Sequence, residues 1–334
     1  MISTSDTEFR MTLEKTLLLL AALFGLFACA EAQKVSIKET TTGIDFLLRG
    51  KEVLTYQTAT LTVPEGVKKE FRKSGFIHPL KSPSGEVLTR IQPPDHYHHL
   101  GIWGPWTKTI VEGREVDFWN LGDGKGKVDF DHVISQVAKG SYAEVVVRQH
   151  HIDLLAPNGP QVAIEEDLGI RVQSADKGRY LVDYTTTIST PLLTPIMLEA
   201  YRYGGGIGYR ATEVWNQGNS TILTSEGYNR TNADGTGGKW VMVHGVSGAK
   251  EGKSGILFLS YPENRAHPEP MRVWPVDANG GKENVYIEFC PIRYEPWEIV
   301  PGKKYTLKYR MVVFDGTLTD EEAEQYWEAF AKKL

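Results

Sequence analysis

Three long segments in succession constrain this chain most. Tyr142 to Leu155, Gln161 to Gln173 and Arg179 to Thr190 alternate apolar and polar residues and are rich in β-branched side chains, so each reads as a strand with one buried face. Ala156-Pro157-Asn158-Gly159-Pro160 and Ala175-Asp176-Lys177-Gly178 separate them as turns. The pattern predicts an antiparallel meander. Ile44 to Leu48 and Val53 to Tyr56, flanking Arg49-Gly50-Lys51, read as a hairpin, and Gly255 to Tyr261, Asn284 to Cys290 and Lys304 to Phe314 as further strands. Only the C-terminus carries a clear helix. Thr319 caps it with Glu322 as capping-box partner, and Ala323, Tyr326, Trp327 and Phe330 form one apolar stripe suited to lie on a sheet. The expected fold class is all-β, a large and mainly antiparallel β-sandwich with one C-terminal helix.

The N-terminus addresses the chain to an export pathway. Leu17 to Ala28 is an apolar run behind Lys15, too short to span a bilayer but suited to the core of a secretory signal. Met11 is a better initiator than Met1, and Ala30-Glu31-Ala32 offers a cleavage site before Gln33. The expected organisation is therefore a signal peptide over 1–32 and one domain over 33–334, since no linker, charge block or repeat divides the remainder. The expected location is the periplasm. Leu26-Phe27-Ala28-Cys29 is an imperfect lipobox through which a lipid anchor at Cys29 is the alternative. After cleavage Cys290 is the one remaining thiol, so no internal disulfide forms, and its apolar surroundings make it core filling. The net charge of -5 argues against a nucleic-acid partner, and the mature chain contains no transmembrane span.

Chemistry concentrates in Pro93-Pro94-Asp95-His96-Tyr97-His98-His99-Leu100-Gly101, where three of the nine histidines stand beside a carboxylate. Imidazoles titrate near neutrality and ligate metals, and the prolines present them on a stiff backbone. The segment continues through Trp103, Pro105 and Trp106 to Asp117-Phe118-Trp119-Asn120, alternating flat rings with hydrogen-bonding groups. Such a surface suits a saccharide, which shows apolar C–H faces and a belt of hydroxyls. Glu199 to Arg210 places Gly204-Gly205-Gly206 between aromatic and basic residues, implying a tight bend or close approach to a ligand. Ser225 to Gly235 brings Glu226 and Arg230, with Asp234-Gly235 read as a turn; Asn264 to Pro268 adds His267. His150 and His151 are adjacent on a strand, so one points inward and the other out.

Pro94-Asp95-His96-Tyr97-His98-His99-Leu100-Gly101-Ile102-Trp103, Val116-Asp117-Phe118-Trp119, Ser225-Glu226-Gly227 with Arg230 and Asp234-Gly235, and His267-Pro268 together resemble the bacterial family catalogued as methane oxygenase PmoA. The similarity covers nearly all of the mature chain. Family members usually carry proline where this chain has Tyr97 and arginine where it has Leu100. A true particulate methane-oxidising subunit has several apolar spans, so the family name reads as a misnomer here. The resemblance implies a galactose-mutarotase-like sandwich and an exported carbohydrate-utilisation system of the kind found in Bacteroidota.

The leading expectation is an exported carbohydrate-active enzyme of the hydrolase, lyase or epimerase class, acting on a small-molecule or oligosaccharide substrate by acid–base catalysis. His96 or His99 would work with Glu226 as the catalytic groups; Asp95, His98, Trp103, Trp106, Arg202, Arg230 and His267 would bind substrate. This reading requires no cofactor. A second expectation is a metalloprotein in which His96, His98 and His99 supply ligands to copper, zinc or iron, with Asp95 or His267 completing the shell; side chains of adjacent residues diverge on an extended segment, so His96 with His98 is the more natural pair there. A third is a non-catalytic sugar-binding module.

Overall fold

The computed structural model describes residues 35–281 and 284–332. The signal peptide expected over 1–32, its Met11 start and Cys29 lie outside the described residues. Strands dominate and pair antiparallel in three sheets. The largest runs through Val35–Glu39, Gly43–Leu48, Lys51–Gln57, Phe76–Leu80, Ile102–Trp103, Ile207–Arg210, Tyr286–Phe289, Glu269–Val273 and Gly237–Gly238. The second runs through Ser220–Thr224, Trp240–Val246, Lys253–Ser260, Tyr305–Asp315, Tyr180–Ser189, Gln161–Ser174, Tyr142–Asp153 and Gly126–Ala138. A small sheet joins Trp297–Ile299, Ile196–Leu198, Lys108–Val111 and Arg114–Asp117.

The expected meander is the centre of the second sheet, and its burial alternates residue by residue along Tyr142–Asp153. Val145, Val147, Leu168, Ile170, Val182 and Tyr184 point inward and share one core with Phe46, Ile77, Ile102, Tyr209, Ile287 and Phe289 from the first sheet. Ring contacts cross this seam, with Tyr209 against Phe258 at 5.1 Å and Phe289 against Tyr309 at 5.8 Å. Two inner faces sharing one apolar core make a sandwich. His151 is buried against Glu166 while its neighbour His150 stays partly exposed, as alternation requires.

Each sheet also has a covered outer face. The C-terminal helix Asp320–Ala331 starts at Thr319, whose side chain accepts from the Glu322 backbone in a full capping box. Its Ala323 and Phe330 close over Trp240, Met242, Leu257, Leu259, Val312 and Phe314 of the second sheet. Among the described residues the first sheet has no helix of that kind. Loops cover its centre instead, over Phe76, Trp103 and Tyr286, and among these loops is the histidine segment.

Candidate functional site

Pro94 and Gly101 explain the shape of the histidine segment. Pro94 sits second in a turn closed by His96 N–H on Pro93 O at 2.9 Å, the position where a fixed φ is already correct. A second turn follows at once, closed by His99 N–H on His96 O at 2.9 Å. Gly101, at φ 71°, then feeds the chain into the sheet, where a Cβ would lie 2.2 Å from Ile77 O. Two successive turns, rather than a strand, therefore carry the imidazoles. His96 and His99 become the two ends of one turn, so the expected pair His96 and His98 is joined by the third histidine. One nitrogen from each of the three rings lies within 4.8 Å of the others.

The sheet supplies the floor. Along Ile207–Arg210 and Tyr286–Phe289 the odd-numbered residues face the shared core, which turns Arg210, Tyr286 and Glu288 to the outer side. His99 is fully buried there, with ring centroids 4.9 Å from Tyr286, 5.4 Å from Trp103 and Trp274, and 5.6 Å from Trp119. Asp117 Oδ1 accepts from the backbone N–H of Trp119 and Asn120, and this local turn fixes Trp119 over the imidazole.

Asp95 is the charge at the centre. Its Oδ2 accepts from His96 Nδ1 at 2.9 Å, Arg210 Nη2 at 2.8 Å, Asn279 Nδ2 at 2.9 Å and Asn284 Nδ2 at 3.3 Å. Burial opposes ionisation of this carboxyl, but the bond from His96 and the Arg210 guanidinium outweigh it and hold Asp95 well below the usual carboxylate range. Burial, then the nearby His96 and Arg210 charges, lowers His98 to about 3, and burial with the same neighbours drives His99 well below its ordinary value. Both rings are neutral at neutral pH. Arg210 is itself buried, stacks over Trp274 at 4.9 Å and donates from Nη1 to His99 Nδ1 at 3.3 Å.

The other expected site residues separate into two groups. Arg230 belongs to the centre's scaffold: it donates to Trp274 O and Asn284 O, and so ties down two residues that touch His96 and Asp95. Glu226 is exposed, accepts from its neighbour Ser225 and makes no hydrogen bond or ion pair with the histidines. His267 stacks on Trp327 of the C-terminal helix at 6.0 Å, outside the cluster. Arg202 is exposed over Tyr203. Trp103 and Trp106 are each 1% exposed, so neither forms an open platform for a ligand. Their burial has a local cause: Trp106 fills the space against the Gly204-Gly205-Gly206 bend, where a Cβ on Gly205 would lie 1.9 Å from its ring. That glycine run is a packing device.

Arg210, Trp274, Tyr286, Asn279 and Asn284 form the centre without having been singled out by the sequence. The clue available for Arg210 was its place at the end of the strand-like Ile207-Gly208-Tyr209-Arg210, on the face opposite Tyr209. Asp234, expected as a turn residue, instead pairs with Arg272 Nη1 at 2.7 Å and Arg293 Nη1 at 3.2 Å. Arg272 and Trp274 both donate to Tyr203 Oη, which carries this ion-pair group to the edge of the histidine centre.

Residues 43–328 match a family of unknown function, DUF6807, and so take in the histidine loop, its floor and its scaffold. The chain belongs to this family. No curated protein matches it. Among solved structures, the DUF6807 chain is similar to the heparan sulfate lyase HepC from Pedobacter heparinus, at 7% identity and TM-score 0.37, over 83% of this chain and 34% of that one. It is similar to the alpha-galactosidase from Lactobacillus brevis at 9% identity and TM-score 0.38, over 86% of this chain and 40% of that one. A galactose mutarotase related enzyme from Lactobacillus acidophilus gives 10% identity and TM-score 0.35, over 85% and 98% of the two chains. The DUF6807 chain thus spans little more than a third of the first two proteins. All three are carbohydrate-active or mutarotase-related proteins. No helix among the described residues is long and apolar enough to cross a membrane.

Proposed function

We propose that this protein is an enzyme acting on a saccharide or glycoside, of the hydrolase, lyase or epimerase class, and that it works by activating a water or sugar hydroxyl at the histidine centre. One observation carries this reading: three imidazoles converge within 4.8 Å beside a carboxylate paired with a buried arginine at 2.8 Å. A structural cluster needs no such assembly, because burying Arg210 and Asp95 costs desolvation that apolar packing avoids. Asp95 Oδ2 accepts from His96 Nδ1–H, so in the neutral ring the tautomer is fixed with the lone pair on Nε2. His96 and His98 are partly exposed, so a substrate reaches them from solvent while His99 lies beneath. Tyr97 and Tyr203, also partly exposed, supply rings at the rim, and amides from Asn279 and Asn284 stand alongside. Rings next to amides and imidazoles suit the mixed faces of a sugar. On this geometry Asp95 takes the place expected for Glu226 as the carboxylate of the centre.

The test is a product screen. The purified protein is incubated with plant, algal and animal oligosaccharides, and products are followed by mass spectrometry. The expected result is a mass change or isomerisation that falls at least ~100-fold in His96→Ala, the scale of a lost catalytic group. Turnover undiminished in that variant would remove the histidine centre from the reaction.

A further inference from the structure

His99 Nε2 is buried and has no hydrogen-bond partner, and the same holds for Nε1 of Trp103 and Trp119, whose rings lie against His99. A buried polar atom left unpaired carries a desolvation cost, and such an atom calls for a physical explanation, of which a bound ion is one. Here the orphaned nitrogen belongs to the ring that sits at the base of the three-histidine cluster. Within the cluster no acid or backbone carbonyl satisfies it.

We propose that His96, His98 and His99 are the ligands of one divalent transition-metal ion of the zinc type. The donor set is three imidazole nitrogens, which suits zinc, copper, nickel or iron and not calcium or magnesium, whose sites are built from oxygen. A Zn–N bond of about 2.0–2.1 Å places tetrahedral ligand nitrogens about 3.4 Å apart. The three nitrogens within 4.8 Å close to that spacing by small rotations of His96 and His98, the two rings not locked in the core.

The surroundings match what a ligating histidine requires. His96 donates Nδ1–H to Asp95, the carboxylate–histidine arrangement that turns the other nitrogen toward a metal. Asp95 is itself held by Arg210, Asn279 and Asn284. At His99 the metal would occupy Nε2 and leave the ring proton on Nδ1, opposite Arg210 Nη1 at 3.3 Å. Two donors cannot bond each other, so loading opens that contact while Arg210 keeps its 2.8 Å bond to Asp95. Three protein ligands leave a fourth position for water or a sugar oxygen. A metal there would activate that oxygen directly, which deepens the proposed activity, although the site stands on geometry that does not depend on the substrate.

The experiment uses the full chain without a histidine tag, stripped with chelator and titrated with zinc chloride, followed by calorimetry and elemental analysis after desalting. One equivalent is expected to remain bound, with calcium chloride giving none. His98→Ala and His96→Gln should each weaken zinc binding at least 10-fold, with circular dichroism unchanged. His132→Ala, at an exposed histidine outside the cluster, should leave it unaffected. Less than a tenth of an equivalent in the wild type would overturn the site. So would stoichiometric zinc that survives in the His96→Gln/His98→Ala double variant. The two proposals separate cleanly: saccharide turnover by a protein that retains less than a tenth of an equivalent of zinc keeps the enzyme and removes the metal, whereas tight zinc binding with no product from any glycan keeps the metal and removes the substrate.

Discussion

The outer faces of the two large sheets solve the same problem in opposite ways. Along the meander of the second sheet, partly exposed charged residues stand outward and pair across strands: Arg148 with Glu165 and Asp167, and Arg171 with Glu144. On the first sheet the outward residues Arg210, Arg272 and Glu288 lie under loops and are buried. The strands Ile207–Arg210 and Tyr286–Phe289 are consequently buried on both faces. Water solvates the first set of charges. The second set depends on named protein partners, so its members are costly to leave alone, and that is where the histidines gather.

This contrast makes Asp95→Ala the most damaging single change. It strands the Arg210 guanidinium in the interior, and loss of about 3–5 kcal/mol of stability is expected by chemical denaturation. A loss under about 1 kcal/mol would show that water reaches Arg210 and would erase the distinction between the faces. Leu168→Ala, in the shared core beneath the meander, should cost about 2–5 kcal/mol through the cavity it opens, with the histidine centre intact. Measuring zinc binding in that variant sharpens the comparison, because the centre should keep its affinity.

Glu288 gives the pH counterpart. Burial raises its carboxyl from 4.5 to about 8, against the opposing bonds from Tyr286 and the Gly204 backbone. The folded state therefore holds a proton that the unfolded state releases. Its contribution to stability is fully present below about 4.5 and is lost as pH rises through about 8. Urea midpoints should fall across that window, and Glu288→Gln should flatten the fall; an unchanged pH profile in the variant would break the account. Smallest of all, Arg148→Ala on the solvated ladder should cost no more than about 1 kcal/mol and weaken further in salt. A larger, salt-insensitive loss would mean that this face is covered as well.

The sandwich was legible because its strands obey a local rule. Period-2 alternation along Tyr142–Asp153 and Gln161–Ser174, turn residues between them and the capping box at Thr319 are all written within a few neighbouring residues. The histidine segment was legible as a candidate for the same reason, since the cluster is contiguous in sequence. Its partners were not. Asp95 meets Asn279 and Asn284 across 184 and 189 residues and Arg210 across 115. No periodicity registers such distances. Trp103 and Trp106 showed the converse: sequence gave them aromatic character suited to a sugar, and packing buried them. The preference for His96 with His98 as the ligand pair assumed an extended backbone, and the double turn after Pro93 removed that assumption.

By itself, then, the sequence determined the strand class, the C-terminal helix and the loop in which reactive side chains are concentrated, because short-range sterics and alternation decide those. Tertiary structure alone decided which charges share the loop, which rings are walls and which are core, and that three histidines meet at one point. Those outcomes depend on which outer face each loop covers, and that is settled by desolvation and packing between segments far apart in the chain.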